Sequence, residues 1–99
     1  MREDQLNEAA EIFHLLGDPT RLRIVVSCLE GPLSVGEIVE KVDVSQSLVS
    51  HHLRLLRATR LLVSERRGRH IYYAPADNHV RCIVNDMIDH IAEPHGEED

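Results

Sequence analysis

Residues 45–59 carry the sequence SQSLVSHHLRLLRAT, which decides the fold of this chain. Ser45 is a suitable N-cap for a helix that reaches about Thr59, and each residue of that helix advances by about 100°. One half of the helix is then largely apolar, and it comprises Leu48, Val49, His52, Leu53, Leu55 and Leu56. We expect this half to pack on a core, with His52 as a core residue.

The opposite half of the helix is polar. This polar face comprises Gln46, Ser47, Ser50, His51, Arg54 and Arg57. Short hydrogen-bonding groups lie near its N-terminus and arginines lie further along, a combination suited to base edges and phosphates in a major groove. Taken alone, the polar face could equally be an ordinary solvated surface.

The neighbouring segments favour DNA binding. Ser34 and Glu37 fit a capping box, which predicts a short helix from Val35 to about Lys41. After the longer helix, segments 61–65 and 70–73 predict two strands joined by a turn centred on Arg67-Gly68. A short helix, a longer helix and a hairpin form a winged helix-turn-helix, so we expect double-stranded DNA as a partner. Arginines near the hairpin tip could reach a minor groove or the DNA backbone, and they are Arg66, Arg67 and Arg69.

Two helices precede this motif and one follows it. Apolar residues at helical spacing predict a first helix that ends at Gly17, and Asp18-Pro19 predicts a second helix that runs to Glu30. Asp77 is expected to cap the last helix. The predicted fold is mainly α with a β-hairpin, in one winged helix-turn-helix domain over residues 1–99. Its parts are the reading motif (about 34–59), the wing (61–73), the last helix (77–93) and an acidic tail (94–99).

Composition narrows the class of protein. A chain of 99 residues with 42% hydrophobic content is one small domain, which dimerisation would help to stabilise. No apolar run approaches the roughly 18 residues of a membrane helix, so we expect a cytoplasmic protein with no membrane partner. The formal net charge is −6, yet residues 54–69 contain six arginines and one acid. A local basic surface of this kind suits phosphate.

The last helix carries side chains that can bind metal at both ends. Asp77 and His79 lie at its start, and His90 and Glu93 lie near its end. The two histidines stand roughly 16 Å apart along the axis, whereas ligands to one zinc ion lie about 2.0–2.2 Å from it. Either the two ends are unrelated and Asp77 is merely a cap, or an antiparallel second copy brings the two pairs together in a homodimer. The ligand positions border an apolar stripe, which comprises Val80, Ile83, Val84, Met87, Ile88 and Ile91.

Together these motifs resemble the ArsR/SmtB family of metal-sensing repressors. The resemblance covers roughly residues 6–93 and rests on residues 16–24 (LGDPTRLRI), residues 45–56, residues 67–73 (RGRHIYY) and the last helix. It implies a homodimer that binds operator DNA when metal-free. It also implies that metal binding lowers the affinity for DNA and derepresses efflux or sequestration genes.

The resemblance extends to the metal site. Zinc- and cobalt-sensing members carry Asp, His, His and then His or Glu with the spacing of Asp77, His79, His90 and Glu93. Two imidazoles and two carboxylates also suit tetrahedral Zn(II), with Co(II) as a close mimic. His95 lies two residues beyond Glu93 and is the alternative candidate for the fourth ligand. The resemblance further implies that His90 donates to a backbone carbonyl near Arg60.

Two other functions remain open. Some family members sense oxidation with one cysteine on the second helix and one on the last, as Cys28 and Cys82 would do, although their positions depart from that spacing. A small zinc hydrolase or a metal carrier would use the same four metal-binding residues. Because four protein ligands leave no open position for water, we do not expect an enzyme.

Overall fold

The computed structural model describes residues 1–94 of the chain, so His95 and all of the predicted acidic tail except Pro94 lie outside the described residues. Residues 1–94 form five helices and three strands. The helices are α1 (Glu3–Leu16), α2 (Pro19–Ser27), α3 (Val35–Val42), α4 (Gln46–Ala58) and α5 (Asn78–Ala92). The strands are β1 (Leu33–Ser34), β2 (Leu62–Arg67) and β3 (His70–Pro75). This order confirms the predicted winged helix-turn-helix.

The helices begin where the capping residues predicted. The Asp18 carboxylate accepts a hydrogen bond from the Arg21 amide at 3.0 Å, and the Ser45 hydroxyl accepts one from the Leu48 amide at 3.1 Å. Ser34 and Glu37 form the predicted capping box at the start of α3. Each bond satisfies an amide that has no partner inside its helix.

The core lies between the helix-turn-helix and the base of the hairpin. Its fully buried side chains come from α2, α3, α4 and β2, and they include Ile24, Ile38, Leu56 and Leu62. His52 is buried as predicted, but it is not the satisfied core residue that we expected, because its Nδ1 has no hydrogen-bond partner among residues 1–94. Leu48 is a correction, because 39% of its surface is exposed next to the polar face instead of packed in the core.

Helix α2 ends earlier than predicted, at Ser27 instead of Glu30. Beyond Ser27 the backbone tightens, since the amides of Cys28 and Leu29 donate to carbonyls three residues back. The Leu29 carbonyl accepts a hydrogen bond from the Arg81 guanidinium of α5. A cationic donor at this position satisfies a carbonyl that the helix leaves free and is favoured by the helix dipole.

The sheet has three antiparallel strands in the order β1-β3-β2. The hairpin strands are longer than predicted, and their turn is centred on Gly68-Arg69, with Gly68 at a φ of 63°. Strand β1 was not predicted, because two residues are too short to show a periodic pattern. Its register pairs Leu33 with Tyr73 and Ser34 with Tyr72, which joins the start of α3 to the wing. None of the helices in residues 1–94 is long and apolar enough to cross a membrane.

Candidate DNA-binding and metal sites

The polar face of α4 is directed away from the core. Gln46, Ser47, His51 and Arg54 are exposed, and Ser50 is half-buried. The opposite side is held by Val49, His52, Leu53 and Leu56, all of them buried. Among residues 1–94, no side chain of the polar face is engaged in a hydrogen bond or ion pair within the protomer. Their polar groups are therefore free for an external partner.

The wing places a second set of cations at the tip of the β2–β3 hairpin. Arg66, Arg67 and Arg69 are all exposed there. The Arg67 guanidinium lies 3.3 Å from the Glu65 carboxylate and stacks over the Tyr72 ring at 5.3 Å. These two contacts orient Arg67 along the hairpin before any ligand arrives.

At the start of α5 the structure brings two of the four predicted metal ligands together. Asp77 Oδ1 accepts the hydrogen bond of the Val80 amide at 3.1 Å, and Asp77 Oδ2 lies 3.7 Å from His79 Nδ1. The amide hydrogen bond, and to a lesser degree the neighbouring His79, hold the pKa of the Asp77 carboxyl below its usual value. Asp77 thus caps the helix with one oxygen and leaves the other directed toward the imidazole.

This arrangement fits one half of a tetrahedral metal site. Two ligand atoms bound to zinc at tetrahedral angles are about 3.4 Å apart, since each bond is about 2.0–2.1 Å long. The observed 3.7 Å between Asp77 Oδ2 and His79 Nδ1 is close to that separation. The His79 side chain is 93% exposed, so nothing in the protomer covers the pair.

The other two predicted ligands are not part of this cluster. His90 lies in the last turn of α5, Glu93 is its C-cap, and both are exposed. Within residues 1–94 of a single chain, no group of three or more His, Cys, Asp or Glu side chains could hold a metal ion. Each protomer therefore presents two separate pairs of candidate ligands, and His95 lies beyond the described residues.

A groove of about 460 Å³ runs between α1 and α5, with Asp77 and His79 among its lining residues. Phe13 and Ile83 line it from the two helices, and Arg60 lines it from the end of α4. Large apolar side chains stay exposed on both helices, and they are Leu6, Phe13, Ile83, Met87, Ile88 and Ile91. We did not predict that α1 contributes to this surface, although Leu6 and Phe13 are apolar residues at helical spacing on this first helix.

The two cysteines differ in burial. Cys28 is fully buried, and this burial raises the pKa of its thiol to about 11. Cys82 is exposed on α5, and both are free cysteines. Because the thiolate is the reactive form, a thiol with this pKa is a poor redox sensor at neutral pH.

The chain is similar to known bacterial regulatory proteins. The family described as "Bacterial regulatory protein, arsR family" matches residues 18–64. The chain is 42% identical over 93 residues to the "Transcriptional repressor SmtB homolog" of Synechocystis sp., covering 94% of this chain and 70% of that protein. It is 39% identical over 88 residues to the "HTH-type transcriptional repressor SmtB" of Mycobacterium tuberculosis, covering 89% and 65% respectively. These relatives are longer than the present chain.

A solved structure has the same fold. The crystal structure of the transcriptional repressor BigR from Xylella fastidiosa superposes with a TM-score of 0.81 at 27% identity, covering 93% of this chain and 94% of that one. The matched proteins are DNA-binding transcriptional regulators rather than enzymes. From its motifs, its fold and these relatives, the chain belongs to the ArsR/SmtB family of metal-sensing transcriptional repressors.

Proposed function

We propose that this protein is a homodimeric repressor that binds operator DNA when metal-free and loses affinity for it when Zn(II) binds between the protomers. Co(II) is the alternative metal. The observation that carries the proposal is the pairing of Asp77 Oδ2 with His79 Nδ1 at 3.7 Å beside an uncovered apolar surface. Release of the operator then derepresses genes for metal efflux or sequestration. A regulator of this kind acts in the cytoplasm, where the DNA is.

The apolar surfaces of α1 and α5 support the homodimer. Ile88 and Ile91 leave 38% and 66% of their surfaces exposed, and Phe13 leaves 58% exposed. Contiguous apolar surface of this kind favours burial against a partner. In a two-fold arrangement of antiparallel α5 helices, the same surface serves both protomers and creates two equivalent metal sites.

Each metal site takes two residues from each chain. Asp77 and His79 of one protomer supply a carboxylate oxygen and an imidazole nitrogen, and His90 and Glu93 of the partner supply the same pair of donor types. Bound at this site, Zn(II) would link the two α5 helices across the dimer. Asp77 Oδ1 remains on the Val80 amide, which keeps Oδ2 in a fixed position for the metal.

DNA recognition combines the polar face of α4 with the wing. We assign base contacts in the major groove to Gln46, Ser47, Ser50, His51 and Arg54. We assign contacts with the DNA backbone or the minor groove to Arg66, Arg67 and Arg69. Metal and DNA then oppose each other reciprocally, because the two sites favour different placements of the protomers. His79 and Arg60, which follows α4, line the same groove. The metal ligands of the partner protomer would therefore lie close to the C-terminal end of the reading helix.

Subunit complementation tests the shared site directly. One variant carries Asp77→Ala with His79→Ala, and a second carries His90→Ala with Glu93→Ala. Neither homodimer should give the absorption spectrum of tetrahedral Co(II). An equimolar mixture of the two variants should recover one tetrahedral Co(II) site per heterodimer. A control with Asp86→Ala and Asp89→Ala removes two exposed acids of the same helix and should leave both sites intact. No recovery in the mixture would contradict a site shared between chains.

The response to metal is tested by operator binding. We expect Zn(II) to lower the operator affinity of the parent protein and to have no effect on a His79→Ala variant. His90→Asn tests the predicted hydrogen bond to the carbonyl near Arg60, and undiminished release by zinc would refute that role. Comparing Glu93→Ala with His95→Ala identifies the fourth ligand.

A further inference from the structure

A second concave surface, of about 500 Å³, lies at the C-terminal end of α4. Three arginines line it, namely Arg54, Arg57 and Arg60. Arg60 and Val63 line both this surface and the groove between α1 and α5, so the two are continuous. We call the surface with the three arginines the arginine pocket.

The positive charge of the arginine pocket is poorly compensated within the protomer. Among residues 1–94, no carboxylate lines it. Arg60 lies 3.8 Å from Glu8 of α1, but the two side chains are 84% and 61% exposed, so this ion pair contributes little. Arg54 and Arg57 are one turn apart on α4, where like charges repel each other. An occupant with several negative charges would relieve this repulsion.

The acidic tail has the complementary charge. Its carboxylates belong to Glu97, Glu98 and Asp99, and residues 94–99 contain no lysine or arginine. Within one protomer the tail begins far from the arginine pocket, because Glu93 lies about 21 Å along the helix axis from His79. Only the first half of α5, up to Val84, lines the groove that leads to the pocket.

A second copy of the chain removes this separation. In the antiparallel dimer of the proposed function, the end of the partner's α5 lies beside Asp77 and His79, which line the same groove as Arg60. Five further residues, 95–99, span up to about 17 Å when extended. The partner's tail therefore begins beside the groove and is long enough to enter the arginine pocket.

We propose that the acidic tail of each protomer binds the arginine pocket of its partner when no DNA is bound. Carboxylates suit this pocket because guanidinium groups donate paired, charge-assisted hydrogen bonds to them. Covalent attachment through a short segment gives the tail a local concentration of about millimolar order. Since Arg54 also belongs to the polar face of α4, the tail competes with the operator and lowers its affinity. The inference rests on the dimer of the proposed function and does not require metal.

Operator binding by the metal-free protein tests the competition. Replacing the three tail acids together, by Glu97→Gln, Glu98→Gln and Asp99→Asn, should raise operator affinity roughly fivefold, because each exposed ion pair contributes about a factor of two. An unchanged affinity would overturn the proposal.

A matched control separates docking of the tail from a general effect of net charge. Glu30→Gln, Glu40→Gln and Asp86→Asn together neutralise three exposed acids outside the tail and should leave operator affinity nearly unchanged. A gain equal to that of the tail variant would assign the effect to net charge and overturn the proposal.

Disulfide trapping locates the contact without DNA. One variant carries Ser64→Cys in the wall of the arginine pocket and a second carries Glu98→Cys, both with Cys82→Ser. Oxidation of their equimolar mixture by diamide should join positions 64 and 98 in a covalent heterodimer, detected by peptide mass spectrometry. Cys28 can remain, because burial raises the pKa of its thiol to about 11 and makes it unreactive.

The control for trapping replaces Ser64→Cys by Arg23→Cys, which places the thiol on exposed α2 away from the pocket. Equal trapping at positions 23 and 64 would overturn the proposal. A failure of the proposed function gives a different result, since the parent protein would then sediment as a monomer or would not bind the operator at all.

Discussion

Helices α4 and α5 differ in what covers their apolar sides. Both are amphipathic, but α4 buries Val49, His52, Leu53 and Leu56 within its own protomer, whereas α5 buries only Val84. The apolar stripe of α5 otherwise stays largely uncovered. The core of the helix-turn-helix is therefore complete within one chain, while the apolar stripe of α5 is left for a partner chain to cover.

Truncation of a core leucine in α4 should have the largest effect. Leu56 is fully buried, so Leu56→Ala should destabilise the fold by about 2–5 kcal/mol, the range for large-to-small core substitutions. Chemical denaturation followed by circular dichroism measures this loss. The loss should not depend on protein concentration, because Leu56 packs inside the protomer, and a loss that disappeared in the dimer would contradict the comparison.

Truncation of the apolar stripe of α5 should act on assembly instead of on the fold. Ile91→Ala should weaken the dimer by about 2–4 kcal/mol, since 66% of Ile91 is exposed in the protomer, full burial of one such side chain contributes about 1.5–3 kcal/mol, and a two-fold interface contains it twice. Analytical ultracentrifugation over a concentration series measures the change. An unchanged dissociation constant would place the dimer interface elsewhere.

Arg81 attaches the N-terminal part of α5 to the rest of the protomer through its hydrogen bond to Leu29. Arg81→Ala should cost about 1–3 kcal/mol, because it leaves the half-buried Leu29 carbonyl without its donor. Thermal unfolding reports the loss, and Arg81→Lys should recover part of it. An unchanged unfolding temperature would show that the hydrogen bond from Arg81 to Leu29 does not stabilise the fold.

The smallest expected effect is a dependence of stability on pH that originates in α4. Burial lowers the pKa of His52 from its ordinary value of 6.5, with the Asp18 carboxylate opposing this shift and Arg21 and His51 adding to it. The unfolded chain therefore takes up a proton near pH 6.5 before the folded chain does, so stability should fall as the pH decreases through that value.

The control for this prediction is His52→Gln, whose stability should fall less over the same interval. The pKa of Asp18 is also lowered, mainly by the Arg21 amide, but from an ordinary value of 3.8. Its contribution is lost only as the pH falls below 3.8, outside the interval used for His52. Denaturation midpoints of parent and variant between pH 7 and pH 5 provide the measurement, and parallel curves would exclude His52 as the cause.

Sequence reasoning predicted best those elements that local chemistry controls. Ser34, Ser45 and Asp77 each cap the helix that they were expected to cap, because the capping bond involves residues only three positions apart. Elements that depend on distant partners were missed. Strand β1 exists through its pairing with β3, and α2 ends early where the Arg81 side chain, far along the chain, meets the Leu29 carbonyl.

The candidate metal site likewise has one part that follows from local spacing and one part that depends on a distant partner. Asp77 and His79 are two residues apart, so their spacing predicted the proximity that the structure shows. His90 and Glu93 are three turns further along the same rigid helix, and their meeting with the first pair depends on a second chain.

The short strand β1 has a mechanical consequence. Ser34 pairs with Tyr72 of the wing and, through its side chain, caps the helix that precedes the turn into α4. The wing and the helix pair are thereby tied to each other within one protomer. In the proposed function, an effector would then act by changing the distance between the DNA-binding units of the two protomers. That distance would have to match the spacing of successive major grooves on the operator.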